Sequence, residues 1–490
     1  MTVRRMIPRS ILLLSLIPAL LVGQEKPVSP AIAKAAALEE EGNFIEATTV
    51  LGTALAMQIS SPFPEIRKQL EFELDRLDHI RQDYPLTREQ LFETLQTSVK
   101  GLTEKEFLQW IDEHRFDSRM IDSVEYFMGS SRSNLFFRYP DLESRRINAP
   151  DWSRFEQSTW EAVSSIKKAA MERNAPYVLP KTFHNTVTLT VQAGAVPDGR
   201  VIRAWLPVPR AFPRQISFNV LSSSSPIKAL ASPDATIRSA YLEQPAEKDK
   251  PTSFSVAYSY TTFGVWFNLN PAVPQQYDTN DPVYKQYTSE GPHVVFTDDM
   301  KQLSNEIIGD EQNPIARAKK IYNWISENIQ YSYAIEYSTI RNIGDYCLKK
   351  RYGDCGQEAL LFITLCRMNG IPARWESGWL TIPGGKTIHD WTGVYFPSYG
   401  WVPVDPYMGI FAMQYFKGPE EQRQEIRDFY FGGLDQYRMA ANSDHSQELT
   451  PAKQSMRSDN VDFQRGEVEY GDANIYFDKY SYSLKVEEQK

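Results

Sequence analysis

The chain has 490 residues, 42% of them hydrophobic and 23% charged, with a formal net charge of −9. That length allows roughly three domains, and the apolar share excludes a globally disordered chain. The acidic balance argues against nucleic acid or an anionic membrane surface as the main partner.

Arg4 and Arg5 precede an uncharged run from Ile11 to Gly23, with Pro27 and Pro30 beyond it. A basic start, a short apolar stretch and a polar exit read as a secretory signal peptide over residues 1–23. The 13-residue run falls short of the about 20 residues a membrane-spanning helix needs; the alternative is a retained anchor. No cysteine stands near the cleavage region, so a lipoprotein anchor has no support. The expectation is an exported protein, periplasmic or extracellular, that meets the membrane only through its export signal.

Residues 31–180 read as a helical domain. Ala31 to Ala56 is alanine-rich, with a turn at Glu41–Asn43, and Ile66, Leu70, Leu74, Leu77 and Ile80 recur at helical spacing in Pro64–Asp83. Thr87 and Thr103 stand where helix caps are expected. His79 and His114 lie in charged helical surroundings and read as solvated. Near Thr182 the period turns to alternation, as in Val187, Leu189 and Val191, and again in Phe254, Val256, Tyr258 and Tyr260. Residues 182–270 therefore read as a small antiparallel, β-sandwich-like domain.

Residues 280–410 return to mixed structure. Pro314 opens an amphipathic helix, a second helix covers Cys355 to Asn369, and strands are predicted over Ala373–Ile382, His389–Phe396 and Trp401–Val404. The whole is a multidomain α+β chain. Residues 411–490 read as a C-terminal extension with a loop over Ser443–Asn460 and a final strand marked by Tyr480, Tyr482, Leu484 and Val486. That strand pairs with either the β domain or the catalytic sheet.

Three cysteines, Cys347, Cys355 and Cys366, are an odd set with spacings of eight and eleven that fit no zinc pattern. An exported chain with an unpaired thiol invites a search for a nucleophile. Cys355 lies in Gly353-Asp354-Cys355-Gly356, at the first turn of a predicted helix. Unpaired N–H groups and the helix dipole favour the thiolate there, with Asp354 as cap. His389 is the sole histidine between Cys355 and His445; it can take the thiol proton and return it to a leaving amine. Asp405 can accept from the far imidazole nitrogen and fix its tautomer. Trp391 and Trp401 are expected to wall off the pair. Cys366 reads as core, and Cys347 as either core or one half of a regulating disulfide. Asp390 reads as a surface or turn residue and Arg374 as an ion-pair partner.

Four blocks in order, Gly353-Asp354-Cys355, Gly370-Ile371-Pro372-Ala373-Arg374, His389-Asp390-Trp391 and Trp401-Val402-Pro403-Val404-Asp405-Pro406, resemble the transglutaminase-like core of the papain-like fold. The resemblance covers about Pro314 to Met408. It implies Cys355 as nucleophile, His389 as base and acid, Asp405 as orienting carboxylate, and a protein or peptide substrate that carries an amide acyl donor. It also implies an oxyanion hole, with the Cys355 N–H as one donor and Tyr346 or Tyr352 within sequence range of the second. No acidic loop resembles the calcium sites of animal transglutaminases, and no cofactor or metal is expected. The chemistry is thiol-dependent acyl transfer, to water as in a peptidase or amidase, or to an amine as in a cross-linking enzyme. The alternative is an envelope binding module with a vestigial site.

Overall fold

The computed structural model describes residues 29–57 and 64–489, so the predicted signal segment lies outside the described residues. Two compact units emerge, Met1–Leu74 and Asp75–Lys490. In the first, helices Pro30–Glu40 and Phe44–Met57 flank the turn at Glu41–Asn43. Ser29 starts the first helix by accepting from the Ala31 N–H, with Pro30 at the position where no amide hydrogen is needed.

Within the second unit, Thr87 and Thr103 cap helices Arg88–Gln96 and Glu104–Asp112 through the N–H groups of Gln90 and Glu106. The stretch expected to be wholly helical also holds a hairpin, Ser118–Ile121 against Val124–Phe127. Its two-residue turn puts Asp122 and Ser123 at positive φ, the conformation that matches strand twist. Helix Ser153–Arg173 sends Phe155, Val163 and Ile166 into one core with Leu380, Ile382, Met408 and Phe411. The end of the predicted helical domain is thus part of the packing under the candidate site. His79 is buried rather than solvated: its ring stacks on Tyr476 at 3.8 Å and Nδ1 meets Ser338 Oγ at 3.1 Å.

Two five-stranded sheets form the β region. One orders Gly433–Leu434, Thr252–Trp266, Tyr177–Val191 and Tyr480–Gln489, with Gln215–Ser223 also on Thr252–Trp266. The other orders Ala473–Ile475, Glu467–Tyr470, Val201–Pro207, Ser239–Pro245 and Ala229–Leu230. Phe183, Val187, Leu189, Leu206, Leu242, Phe254 and Val256 fill one core that also takes in Trp379 and Met439.

The C-terminal region is no appendage. Tyr480–Gln489 pairs antiparallel with Tyr177–Val191, from Tyr480 opposite Val191 to Gln489 opposite Thr182. Glu467–Tyr470 adds to Val201–Pro207, and Arg438–Asn442 becomes an edge of the third sheet. Pairings so distant in sequence leave no local mark beyond alternation, which tells a strand its face and not its partner. The expected loop Ser443–Asn460 has no regular structure, and it buries Ser443, Asp444, His445, Leu449 and Ser458 while exposing others.

The third sheet, Gly400–Val404, Thr387–Phe396, Ala373–Leu380 and Arg438–Asn442, is antiparallel throughout. Helix Cys355–Met368 packs on it and against Pro314–Asn328 and Ile343–Lys350. From Gly356 to Arg367 every residue of that helix is buried, which explains why it is apolar all round rather than striped. Among the described residues no helix is long and apolar enough to cross a membrane.

Candidate active site

Cys355 is the first residue of its helix, and Asp354 caps it in a capping box with Gln357. Asp354 Oδ1 accepts from the Gln357 N–H at 3.1 Å and from the Tyr337 hydroxyl at 2.6 Å. Gly356 lets the helix close on the sheet. A Cβ there would lie 2.7 Å from Trp375 Cη2 and 2.9 Å from Asp390 Oδ2, distances no ordinary side chain tolerates.

His389 and Asp405 meet as expected. The imidazole Nε2 donates to Asp405 Oδ2 at 2.8 Å, with His389 2% exposed and Asp405 fully buried. Asp405 starts the short helix Pro406–Ile410, and its Oδ1 accepts from the Met408 N–H at 3.1 Å. Sequence reasoning missed the group on its other side. Arg438, fully buried on the edge strand, donates Nη1 to Asp405 Oδ2 at 2.8 Å and Nε to Asp435 Oδ2 at 3.0 Å. Burial pushes the Asp405 carboxyl up, but His389 and Arg438 outweigh it and hold the group below the usual carboxylate range. Burial lowers the His389 pKa; Asp405 opposes that and Arg438 adds to it, so the imidazole stays neutral near pH 7.

The thiol departs from expectation. Cys355 Sγ donates to Asp390 Oδ2 at 3.3 Å. Asp390 is 4% exposed, not a surface residue, because Gln464 reaches back from the C-terminal region to hold it. Gln464 Nε2 donates to Asp390 Oδ1 at 2.7 Å and to the His389 carbonyl at 2.8 Å. The helix N-terminus was expected to lower the thiol pKa. Instead burial raises it well above the ordinary value, and Asp390, Asp354 and Glu358 add to that, against the Asp390 N–H. Desolvation of a thiolate among carboxylates outweighs a half-charge of helix dipole.

Other expectations sort themselves by position. Cys347 and Cys366 are buried free thiols, so Cys347 forms no disulfide. Arg374 pairs with Glu376 at 2.8 Å. Trp391 stacks beside His389 with ring centroids 6.0 Å apart, but Trp401 lies instead over the Arg374 guanidinium at 4.0 Å. Tyr407 supplies the other wall, 5.2 Å from the imidazole and 5.0 Å from Tyr331. Tyr352 donates to Asp117, and Tyr346 senses the same carboxylate, so both point to a different cluster. Glu358, one turn after Cys355, is fully buried with both carboxyl oxygens unbonded, and burial next to Asp354 and Asp405 pushes it well up. Among the described residues no group of three or more His, Cys, Asp or Glu side chains is set to hold a metal ion.

Residues 301–406 match the family model of the transglutaminase-like superfamily. The chain carries a transglutaminase-like domain. That match spans helices Pro314–Asn328 and Cys355–Met368, both inner strands and Asp405. It stops short of Arg438 and Gln464. An uncharacterized protein of Haemophilus influenzae is 24% identical over 258 residues, 45% of this chain and 67% of that protein. The uncharacterized protein YebA of Bacillus subtilis is 26% identical over 168 residues, 27% of this chain and only 23% of its own length. Among solved structures, a candidate cysteine protease from Cytophaga hutchinsonii is similar over 64% of this chain and 91% of its own, with 16% identity and a TM-score of 0.42. The periplasmic domain of TgpA from Pseudomonas aeruginosa is similar over 52% and 98%, with 15% identity and a TM-score of 0.26.

Proposed function

We propose that this protein is a thiol-dependent acyl transferase acting on amide bonds of peptides or proteins, with Cys355 as nucleophile, His389 as base and acid, and Asp405 as the orienting carboxylate. The observation that carries this reading is the buried His389–Asp405 hydrogen bond of 2.8 Å, on a sheet packed against the helix that begins at Cys355. A neutral imidazole held by an ionised carboxylate has the protonation needed to take a thiol proton. The thiolate then attacks the amide carbon, the imidazolium gives its proton to the leaving nitrogen, and a thioester remains. Water or a second amine releases it. Export through residues 1–23 belongs to the same proposal and places the substrate outside the cytoplasm.

The test is a glutamine-containing peptide pool, with and without a labelled primary amine, given to the natural protein and to Cys355→Ala. Label transfer lost in the variant means amine is the acceptor; cleavage or deamidation lost in the variant means water is. Equal behaviour of the two proteins overturns the reading. A second reading, a binding module with a silent site, draws on the hydrogen bond that ties the thiol to Asp390; that outcome favours it.

A further inference from the structure

Among the described residues Asp390 is the one carboxyl hydrogen-bonded to the Cys355 thiol, and the surroundings distinguish its two oxygens. Oδ1 accepts from the Gln464 amide at 2.7 Å, while Oδ2 lies 3.3 Å from Cys355 Sγ. An amide nitrogen can only donate, so Oδ1 is fixed as the acceptor oxygen. In the protonated acid the hydrogen then sits on Oδ2, the oxygen next to the thiol. A carbonyl carbon bonded to Sγ carries its oxygen two bonds from the sulfur that Oδ2 contacts at 3.3 Å.

The groups that face Asp390 leave little to stabilise a negative charge on it. From the nucleophile helix and its cap come the Cys355 thiol and the Asp354 carboxyl, from the 337–339 turn the Tyr337 hydroxyl, and from the neighbouring strand Ser377. The 443–466 segment brings Asp459, Asp462 and Gln464. The cations there are engaged elsewhere: Arg465 holds Glu336 at 3.0 Å and Asp459 at 3.2 Å, and Arg457 donates to the Asp462 carbonyl. Burial, Asp462 and Asp354 push the Asp390 carboxyl well up.

We propose that Asp390 is a catalytic residue of this site, a neutral carboxylic acid whose Oδ2–H donates to the oxyanion formed when Cys355 attacks a carbonyl. This rests on the acyl-transfer reading above. As the C–S bond forms, the carbonyl π pair moves onto oxygen, and Asp390 donates a hydrogen bond to it without giving up its proton. The thiol proton has gone to His389, which passes it to the leaving group as that bond breaks and the carbonyl reforms. The Cys355 N–H supplies the other donor. Gln464, from outside the matched family region, is a positioning residue that decides which oxygen carries the hydrogen.

Two probes separate the role from mere structure. Acylation by p-nitrophenyl acetate passes through an oxyanion; alkylation by iodoacetamide displaces iodide at a saturated carbon and forms none. Natural protein, Asp390→Asn, Asp390→Ala and Cys355→Ala are compared at pH 7. Asp390→Ala is expected to slow acylation of Cys355 by about 10²–10³-fold with alkylation at least as fast as in the natural protein. Asp390→Asn, which keeps an N–H donor, is expected to stay within about tenfold in acylation, and to lose the alkaline fall that ionisation of Asp390 gives the natural protein. Equal slowing of both probes in Asp390→Ala and Asp390→Asn, or no slowing of acylation in either, overturns the oxyanion role. A natural protein that is alkylated at Cys355 but never acylated overturns the acyl-transfer reading itself. Should Asp390→Ala fail to fold, Asp390→Asn decides through its rate and pH profile.

Discussion

Replacing Arg438 by Met tests how the His389–Asp405 pair is held. The guanidinium is fully buried between two carboxylates, 2.8 Å from Asp405 Oδ2 and 3.0 Å from Asp435 Oδ2, both also fully buried. Removing one partner of a buried ion pair strands the other, at a cost of about 3–5 kcal/mol, so Arg438→Met should lose that much at pH 7 by urea unfolding of the Asp75–Lys490 unit's signal. Asp405 has a folded pKa below its unfolded value of about 3.9, so its contribution is present above that value and lost as pH falls through the folded pKa. The difference between natural protein and variant is therefore full at pH 7 and narrows below about pH 4. Adding Asp435→Asn should recover about 1–3 kcal/mol, because it removes one of the two stranded charges. A loss under about 1 kcal/mol, or one that grows on acidification, refutes the reasoning.

Three further outcomes follow from the site. Iodoacetamide labelling of Cys355 should accelerate only above about pH 8.5, the free-thiol value, because burial first, and the neighbouring carboxyl groups after it, hold the thiol up; a labelling midpoint near pH 6 contradicts this. Gly356→Ala should cost about 1–3 kcal/mol in thermal or urea unfolding, through contacts with Trp375 and Asp390 that must open. If acyl transfer occurs, the acid limb of its kcat/KM profile should fall below about pH 6.5, since burial keeps His389 neutral, and Arg438→Met should move that limb upward.

Sequence pattern marked the elements around the candidate site better than it marked the rest of the architecture. Cys355, His389 and Asp405 stand in short blocks whose turn residues and apolar neighbours mark the helix start and both strands; the structure puts Cys355 and His389 on the helix and strand expected, whereas Asp405 lies just past its strand and caps the short helix Pro406–Ile410. Arg438 and Gln464 had no such mark: one arginine and one glutamine in an unpatterned region reach the site only through tertiary folding. Asp390 was misjudged because an acidic residue beside a histidine is usually solvated, and the 443–466 segment, whose Gln464 holds it, has no periodicity to announce itself. The terminal strand was visible by alternation, but its partner Tyr177–Val191 was not. The thiol pKa was misread for a related reason: the helix dipole is local and legible, whereas burial and the Asp390 carboxyl, brought in on a separate strand, act on the thiol only in the folded chain.

The central claim is that Cys355 becomes acylated by an amide. Intact-mass analysis after acid quench, with the natural protein, Cys355→Ala and His389→Ala mixed with the glutamine peptide pool, tests it most directly. The account predicts a thioester adduct on Cys355 in the natural protein, with loss of ammonia or an amine, and none in either variant. An unmodified natural protein together with unchanged peptides would contradict it.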